Sequence, residues 1–381
     1  MTNDQSSYPL LPFSQLVYDT TRWLPQVYTF PFTYRWENGA ADKERIEHAC
    51  RTALANHPVF SMRINWRGRQ YAATPKDILH GPYHSVTLYV QGQDLLVQGK
   101  FNRILGDGMS LEILFEDIRR AYNNESLEPD DYWDYVARFE QLKNELHYNE
   151  SKAWLVKEFA DTAVPVRPTI DRCCLTTFLP PKAGLHIADY TDLQEKINNL
   201  SHSHYISLNG IFSLCAVLAI ADYCGTDSAA LTWAYEGREK EPEQRIFGSL
   251  HRDIPFKINQ KSTIINNKLD LIRETRNKIR AGIAHSDYPY TLTYPYTKRW
   301  NYAVNVLHVT DLEDFLSTSG LPLKLESMQK QKYAYALFDI EILEHIDSLQ
   351  LRYRYSATHY KPESIRKFAD LVRKYVEWLI N

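Results

Sequence analysis

No part of this chain carries the marks of a secreted or membrane protein. The first residues, MTNDQSSYPLLPFSQ, have neither the basic segment nor the apolar core of a signal peptide. The longest apolar run, IFSLCAVLAIA over 211–221, is too short to span a bilayer and predicts a buried helix. Net charge is −3 and no basic run rises above the scatter, so nucleic acid and anionic membranes have no electrostatic claim as partners. The five cysteines, Cys50, Cys173, Cys174, Cys215 and Cys224, form no even framework and no C-x-x-C. Cys50 and Cys215 sit among apolar residues, as small buried thiols do, and a reducing, cytoplasmic location is the expectation. A G-x-x-x-x-G-K-[ST] loop, a G-x-G-x-x-G after a strand and a G-x-S-x-G elbow are also missing. Nucleotide use and serine hydrolysis therefore lack support.

What is present is the composition of a globular protein with a substantial core: 44% apolar and 24% charged residues in 381, room for two domains. Twenty-six tyrosines and eight tryptophans supply ring surface for packing or for lining a cleft. Helical and strand signals alternate. DKERIEHACRTALANHP places Ile46, Ala49, Cys50 and Ala53 at helical spacing and stops at Pro58. Two strands are expected about Arg67-Gly68, and a hairpin over SVTLYVQGQDLLVQGKF with its tip at 91–93. After Asp107-Gly108, residues Leu111, Leu114, Phe115 and Ile118 make one helical stripe that ends near Asn123-Asn124. A long helical stretch is expected over about 131–160.

TAVPVRPTIDRCC, residues 162–174, loses periodicity around two prolines and reads as an interdomain connection. Two mixed α/β halves follow, 1–165 and 166–381, the class being α/β of the α+β type. The second half restarts with LTTFLPP as a strand and continues with the buried helix 209–222 and the strand ALTWAYEGR. Strands are expected at 301–309, 334–342 and 349–355, and a closing helix carries Ile365, Phe368, Ala369 and Val372.

Metal chemistry finds little footing. His202 and His204 would face one way only in an extended segment, and no third ligand stands near. His80 and His84 sit at a loop-to-strand junction. No metal site is expected.

The stretch KFNRILGDGMSLEILFEDI, residues 100–118, runs from a strand through an acidic-glycine turn into a helix. Asp-Gly alone marks many turns. In company with other segments it carries a resemblance. NRILGDGMS lines up with the H-H-x-x-x-D-G-x-S signature of the condensation domains of nonribosomal peptide synthetases, in the acyltransferase group that includes chloramphenicol acetyltransferase. YPLLPFSQLVYDTTRW with Gln15 resembles the family's opening segment, and ACRTALANHPVFSMRI the next block. DDYWDYVARFEQ resembles the aromatic-acidic block after the signature. EGREKEPEQRIFGSLHRDIPFKI is similar to the part where a Gly-Arg pair precedes a glycine-led strand, and AHSDYPYTL to a block usually read H-Q-D-Y-P-F.

The resemblance implies two chloramphenicol-acetyltransferase-like lobes in a V-shaped pseudo-dimer, with a central cleft or tunnel. It implies amide or ester formation between an acyl donor and an amine or hydroxyl acceptor, with substrates tethered to phosphopantetheine or CoA and no tightly bound cofactor. Carrier proteins and synthetase enzymes would be the partners. No adenylation, carrier or thioesterase segment is expected within 381 residues, so a carrier-bound substrate would come from another polypeptide unless the chain is a piece of a larger one. The family's second signature histidine, the base or positioning group, is Arg103 here, and Asn102 takes the position before it.

An arginine stays protonated and cannot accept a proton at neutral pH, but its donors suit an oxyanion or an anionic group. Arg103 therefore reads either as an electrostatic group or as space filling in a decayed site. The resemblance gives Asp107 a structural role through an ion pair with an arginine of the other half, here Arg238 of the Gly237-Arg238 pair. Gly108 would allow close backbone approach, and Ser110 completes the signature. His251 stands where the family motif commonly has asparagine; it is either a substitute base or a strand histidine bonded to backbone. His308 and His285 are weaker candidates. Three functions stay open: a working condensation-type acyltransferase, a non-catalytic relative that binds a carrier protein or recruits a partner enzyme, and a small-molecule binder using the cleft.

Overall fold

The computed structural model describes residues 7–21, 27–159, 164–172, 181–259, 267–289, 303–309, 315–316, 320–328, 332–334 and 336–381. Cys173 and Cys174, the LTTFLPP strand up to residue 180 and residues 290–302 lie outside them. In chain order the first elements are β1 (Tyr8–Pro9), α1 (Pro12–Thr21), β2 (Thr29–Trp36), α2 (Lys43–Asn56), β3 (Met62–Ile64), β4 (Arg69–Ala72), β5 (His84–Gln91) and β6 (Asp94–Asn102). Next come α3 (Gly108–Tyr122), α4 (Tyr132–Leu142), α5 (Leu146–Glu158), β7 (Ala183–Asp189), α6 (Gln194–His204), α7 (Leu208–Cys224) and β8 (Ser228–Tyr235). The last are α8 (Glu241–Gln244), β9 (Arg252–Asn259), α9 (Lys268–Ala284), β10 (Asn305–His308), β11 (Leu323–Met328), β12 (Phe338–Glu344), β13 (Leu349–Ser356) and α10 (Pro362–Ile380). Helices and strands are mixed and most strand pairs are antiparallel, in keeping with the α+β expectation.

The chain folds into two compact units, each discontinuous in sequence. The first comprises Met1–Leu142, Glu236–His251 and Thr310–Gln331; the second comprises Lys143–Tyr235, Arg252–Val309 and Lys332–Asn381. A single cut after residue 165 does not describe this division. The helical stretch expected over 131–160 is two helices, broken at 143–145, and the units part at that break. The stretch expected to be an interdomain connection is instead packed within the second unit. Val164 and Val166 are buried, the Ala230 amide donates to the Pro165 carbonyl, and the Val304 amide donates to that of Val166.

The first unit holds a three-stranded sheet, β1-β4-β3, and a four-stranded one, β11-β2-β6-β5. The β5–β6 hairpin closes through Gly92 at φ +65°, a left-handed conformation that suits glycine. Strand β11 arrives from far along the chain to pair antiparallel with β2, Leu323 opposite Trp36.

In the second unit a six-stranded sheet has the order β7-β13-β12-β10-β8-β9, with β10 parallel to both its neighbours and the other pairs antiparallel. Helix α7 starts at Ser207, whose side chain accepts from the Gly210 amide, and ends at Gly225 in the left-handed conformation. Residues Leu208 to Ala221 of this helix are all buried, because it packs on α6, α9 and α10 as well as on the sheet. Helix α10 buries a single stripe that includes Ile365, Phe368, Val372 and Val376. Among the described residues no single helix is long and apolar enough to cross a membrane.

Candidate functional site

The signature loop lies in the first unit. It leaves β6 at Asn102, whose amide nitrogen donates to Thr29 Oγ1 at 2.9 Å and whose Oδ1 accepts from the Ile104 amide at 3.0 Å. Both ends of the side-chain amide of Asn102, a candidate catalytic residue by the resemblance, are thus engaged in bonds that shape the turn. Ser14, on α1, donates to the Ile104 carbonyl at 3.0 Å and so docks the opening helix on the loop.

Asp107 ends the loop as the N-cap of α3. Its carboxylate accepts from the Ser110 amide and hydroxyl at 3.2 and 2.9 Å, and the Asp107 amide donates back to Ser110 Oγ, a reciprocal cap. Ser110 thus acts as a structural partner. The ion pair with Arg238 is bidentate, 2.9 Å from each guanidinium nitrogen to its carboxylate oxygen. It forms inside the first unit, because Glu236–His251 belongs there; the arginine does not come from the other unit.

Gly237, at φ +68°, makes the turn that presents Arg238. Arg238 also donates to the carbonyls of Ile246 and Gly248, while the amides of Leu250 and His251 donate to Asp107. Burial pushes the Asp107 carboxyl up, but the charge and hydrogen bonds of Arg238 outweigh it and hold the group below its ordinary value.

The close approach expected at Gly108 occurs two residues earlier. A Cβ on Gly108 would meet nothing within 4 Å, whereas one on Gly106 would fall 2.7 Å from both Phe247 and the Ser110 hydroxyl. Gly108 opens the helix, and Gly106 is the glycine that steric crowding requires.

Arg103 and His251 meet through a residue that the sequence did not single out. The Phe13 ring, on the first turn of α1, lies 4.9 Å from the Arg103 guanidinium carbon and 4.2 Å, centroid to centroid, from the His251 imidazole. The Arg103 amide donates to the Tyr28 carbonyl, and His251 Nδ1 stands 3.9 Å from Asp107 Oδ2. The Phe13 position was visible within YPLLPFSQ, but only the fold shows what it touches.

The other expected histidines are elsewhere. His202 and His204 occupy the last turn of α6 rather than an extended segment. His84 is buried against Phe60 and bonds the Ile78 carbonyl, and His80 pairs with Asp77 at 2.8 Å. In the second unit, His285 stacks on Trp154, and His308, half exposed, lies 3.7 Å from Glu344. Gln15 donates to Asp19 on the same helix. Cys50 and Cys215 are buried thiols, Cys50 pushed up to about 12 by burial. Among the described residues no group of three or more metal-ligating side chains is assembled.

Known proteins resemble this chain in sequence or fold. The chain is 22% identical over 293 residues to bacitracin synthase 1 of Bacillus licheniformis, a match covering 72% of this chain and 5% of that much longer protein. The X-domain from teicoplanin biosynthesis is similar in fold, with a TM-score of 0.79 at 14% identity, covering 100% of this chain and 96% of that one. So is a mutant of the starter condensation domain of rhizomide synthetase in complex with C8-CoA, at a TM-score of 0.75 and 14% identity, covering 98% and 94%. The condensation domain model matches residues 100–381, from the strand that feeds the signature loop to the final helix, and this chain belongs to the condensation domain family.

Proposed function

We propose that the chain is a condensation-type acyltransferase in which Arg103 replaces the usual imidazole as an electrostatic group and His251 supplies the imidazole. The acyl donor would be CoA- or carrier-bound, and the acceptor an amine or hydroxyl. The observation that carries this reading is the packing of Arg103 and His251 against one ring, Phe13, beside the bidentate Asp107–Arg238 pair. The complex of a similar fold with C8-CoA supports an acyl thioester as donor.

In the proposed step the acceptor lone pair attacks the thioester carbonyl carbon. His251 takes the proton that the acceptor loses. Arg103, always charged, stabilises the tetrahedral oxyanion. Collapse of that intermediate breaks the carbon–sulfur bond and the departing thiolate takes the proton from His251. No metal or second cofactor enters the balance.

The replacement of the signature imidazole by Arg103 favours a second reading: a non-catalytic relative that binds a carrier protein or recruits a synthetase enzyme. Incubation with acyl-loaded and aminoacyl-loaded carrier proteins separates the two. Product formed by the native chain, and lost in Arg103→Ala, supports the acyltransferase. Product formed only by Arg103→His points to a dormant frame and overturns it.

A further inference from the structure

A second cluster of buried charge lies in the first unit and has no part in the proposed acyl transfer. His57, just after α2, is 1% exposed. Its Nδ1 is 2.7 Å from Asp130 Oδ2, a hydrogen bond; its Nε2 is 3.3 Å from Asp117 Oδ2, a charge contact without hydrogen-bond alignment, and both carboxylates are buried. Asp117 comes from α3, Asp130 from the approach to α4. Each also reaches the segment that carries His251. Asp117 Oδ1 accepts from Arg245 at 3.0 Å, and Asp130 Oδ2 accepts from the Phe247 amide at 2.9 Å.

The remaining polar neighbours are accounted for. Asn56 donates to Asp117 Oδ2 and to the Glu128 carbonyl, and the Tyr132 amide donates to Asp130 Oδ1. The Glu128 carboxylate pairs with Arg245 and Arg120 on the exposed side. The rings of Phe247 and Phe60 flank the imidazole.

A neutral imidazole has one N–H donor, so its second nitrogen would turn a lone pair toward a carboxylate oxygen. Arg245 alone cannot balance two buried carboxylates while it also serves Glu128, and an uncompensated buried charge is costly. We infer that His57 is a positioning residue for the signature loop: held as an imidazolium between Asp117 and Asp130, it fixes residues 245–251, and with them His251 and the amides that bind Asp107.

Burial pulls the His57 pKa down, but the bonds and charges of Asp117 and Asp130 outweigh it and leave the group above its ordinary 6.5. With the folded value raised, its contribution is complete below pH 6.5 and is lost as pH rises through the folded pKa.

The role of the positioned segment rests on the proposed acyl transfer, but the charge of His57 does not, so the test reads the charge directly. Nitrogen-15 NMR of the native chain, labelled on histidine, is recorded between pH 6 and 9. His57 is expected to show two protonated nitrogens at pH 7. Hydrogen exchange at the Phe247 and Leu250 amides should rise at least about tenfold as His57 titrates, consistent with the loss of a charged hydrogen bond. In H57Q the exchange should be fast throughout and lack this pH dependence. A single protonated nitrogen on His57 at pH 7, or Phe247 and Leu250 protection unchanged by its titration, overturns the inference. The native readings stand whether or not H57Q folds, and inactive protein that shows an imidazolium would refute the acyltransferase reading alone.

Discussion

Helix α7 and the loop around Asp107 are both buried, but they are held by opposite means. Leu214, Cys215, Ala216 and Ile220 have no exposed surface and belong to one hydrophobic cluster, so their stabilisation is chiefly area removed from water. Around Asp107 the buried groups are a carboxylate, a guanidinium, a hydroxyl and a row of amides, each holding another. Apolar packing tolerates a lost methylene gradually. A buried ion pair fails when one partner goes, because the other is stranded.

Asp107→Ala should do the most damage. Removing one partner of a buried pair costs about 3–5 kcal/mol, so the variant should melt far below the native chain by calorimetry. Acid gives the same result without mutation. The Asp107 pKa is depressed, so its contribution is present above the ordinary carboxyl value of 3.8 and is lost as pH falls through the folded value. Asp107→Asn should flatten that part of the stability profile.

Leu214→Ala in α7 should cost about 2–5 kcal/mol by cavity formation, with no added pH dependence in denaturant titrations. A smaller effect sharpens the comparison at its edge. Gly237→Ala places a Cβ at φ +68° and should cost about 1–2 kcal/mol, with slower recovery of the loop after unfolding, followed by stopped-flow.

Local patterns suffice for the local elements. The stripe of Leu111, Leu114, Phe115 and Ile118 is α3, the 91–93 tip is the β5–β6 turn, and the apolar run at 211–221 is inside α7. The misses are of another kind. The pairing of β11 with β2 joins residues nearly three hundred apart, and nothing in LKLESM announces its partner. The break at 143–145 is carried by Lys143, Asn144 and Glu145, none of which forbids a helix. Residues 164–166 lack periodicity because they run against β8 as an irregular strip, with their carbonyls bonded to Ala230 and Val304.

At the site, the resemblance brought Asp107 and Arg238 together across 131 positions, which spacing alone could not. Phe13 and His57 stayed unread. The chemistry of a phenyl ring is not distinctive in sequence, and the carboxylates that hold His57 lie 60 and 73 residues downstream, on separate elements. The motif points to Gly108 rather than Gly106 because crowding is a property of the fold, here of Phe247 and Ser110.

The central claim, that a bidentate Asp107–Arg238 pair holds the signature loop in place, is tested most directly by a double-mutant cycle with Asp107→Asn and Arg238→Met. Stability of the native chain, the two single variants and the double variant would be measured by urea unfolding. The account predicts that the double variant recovers part of the loss, with a coupling energy of about 1–3 kcal/mol. Additive losses, within about 0.5 kcal/mol, would contradict it.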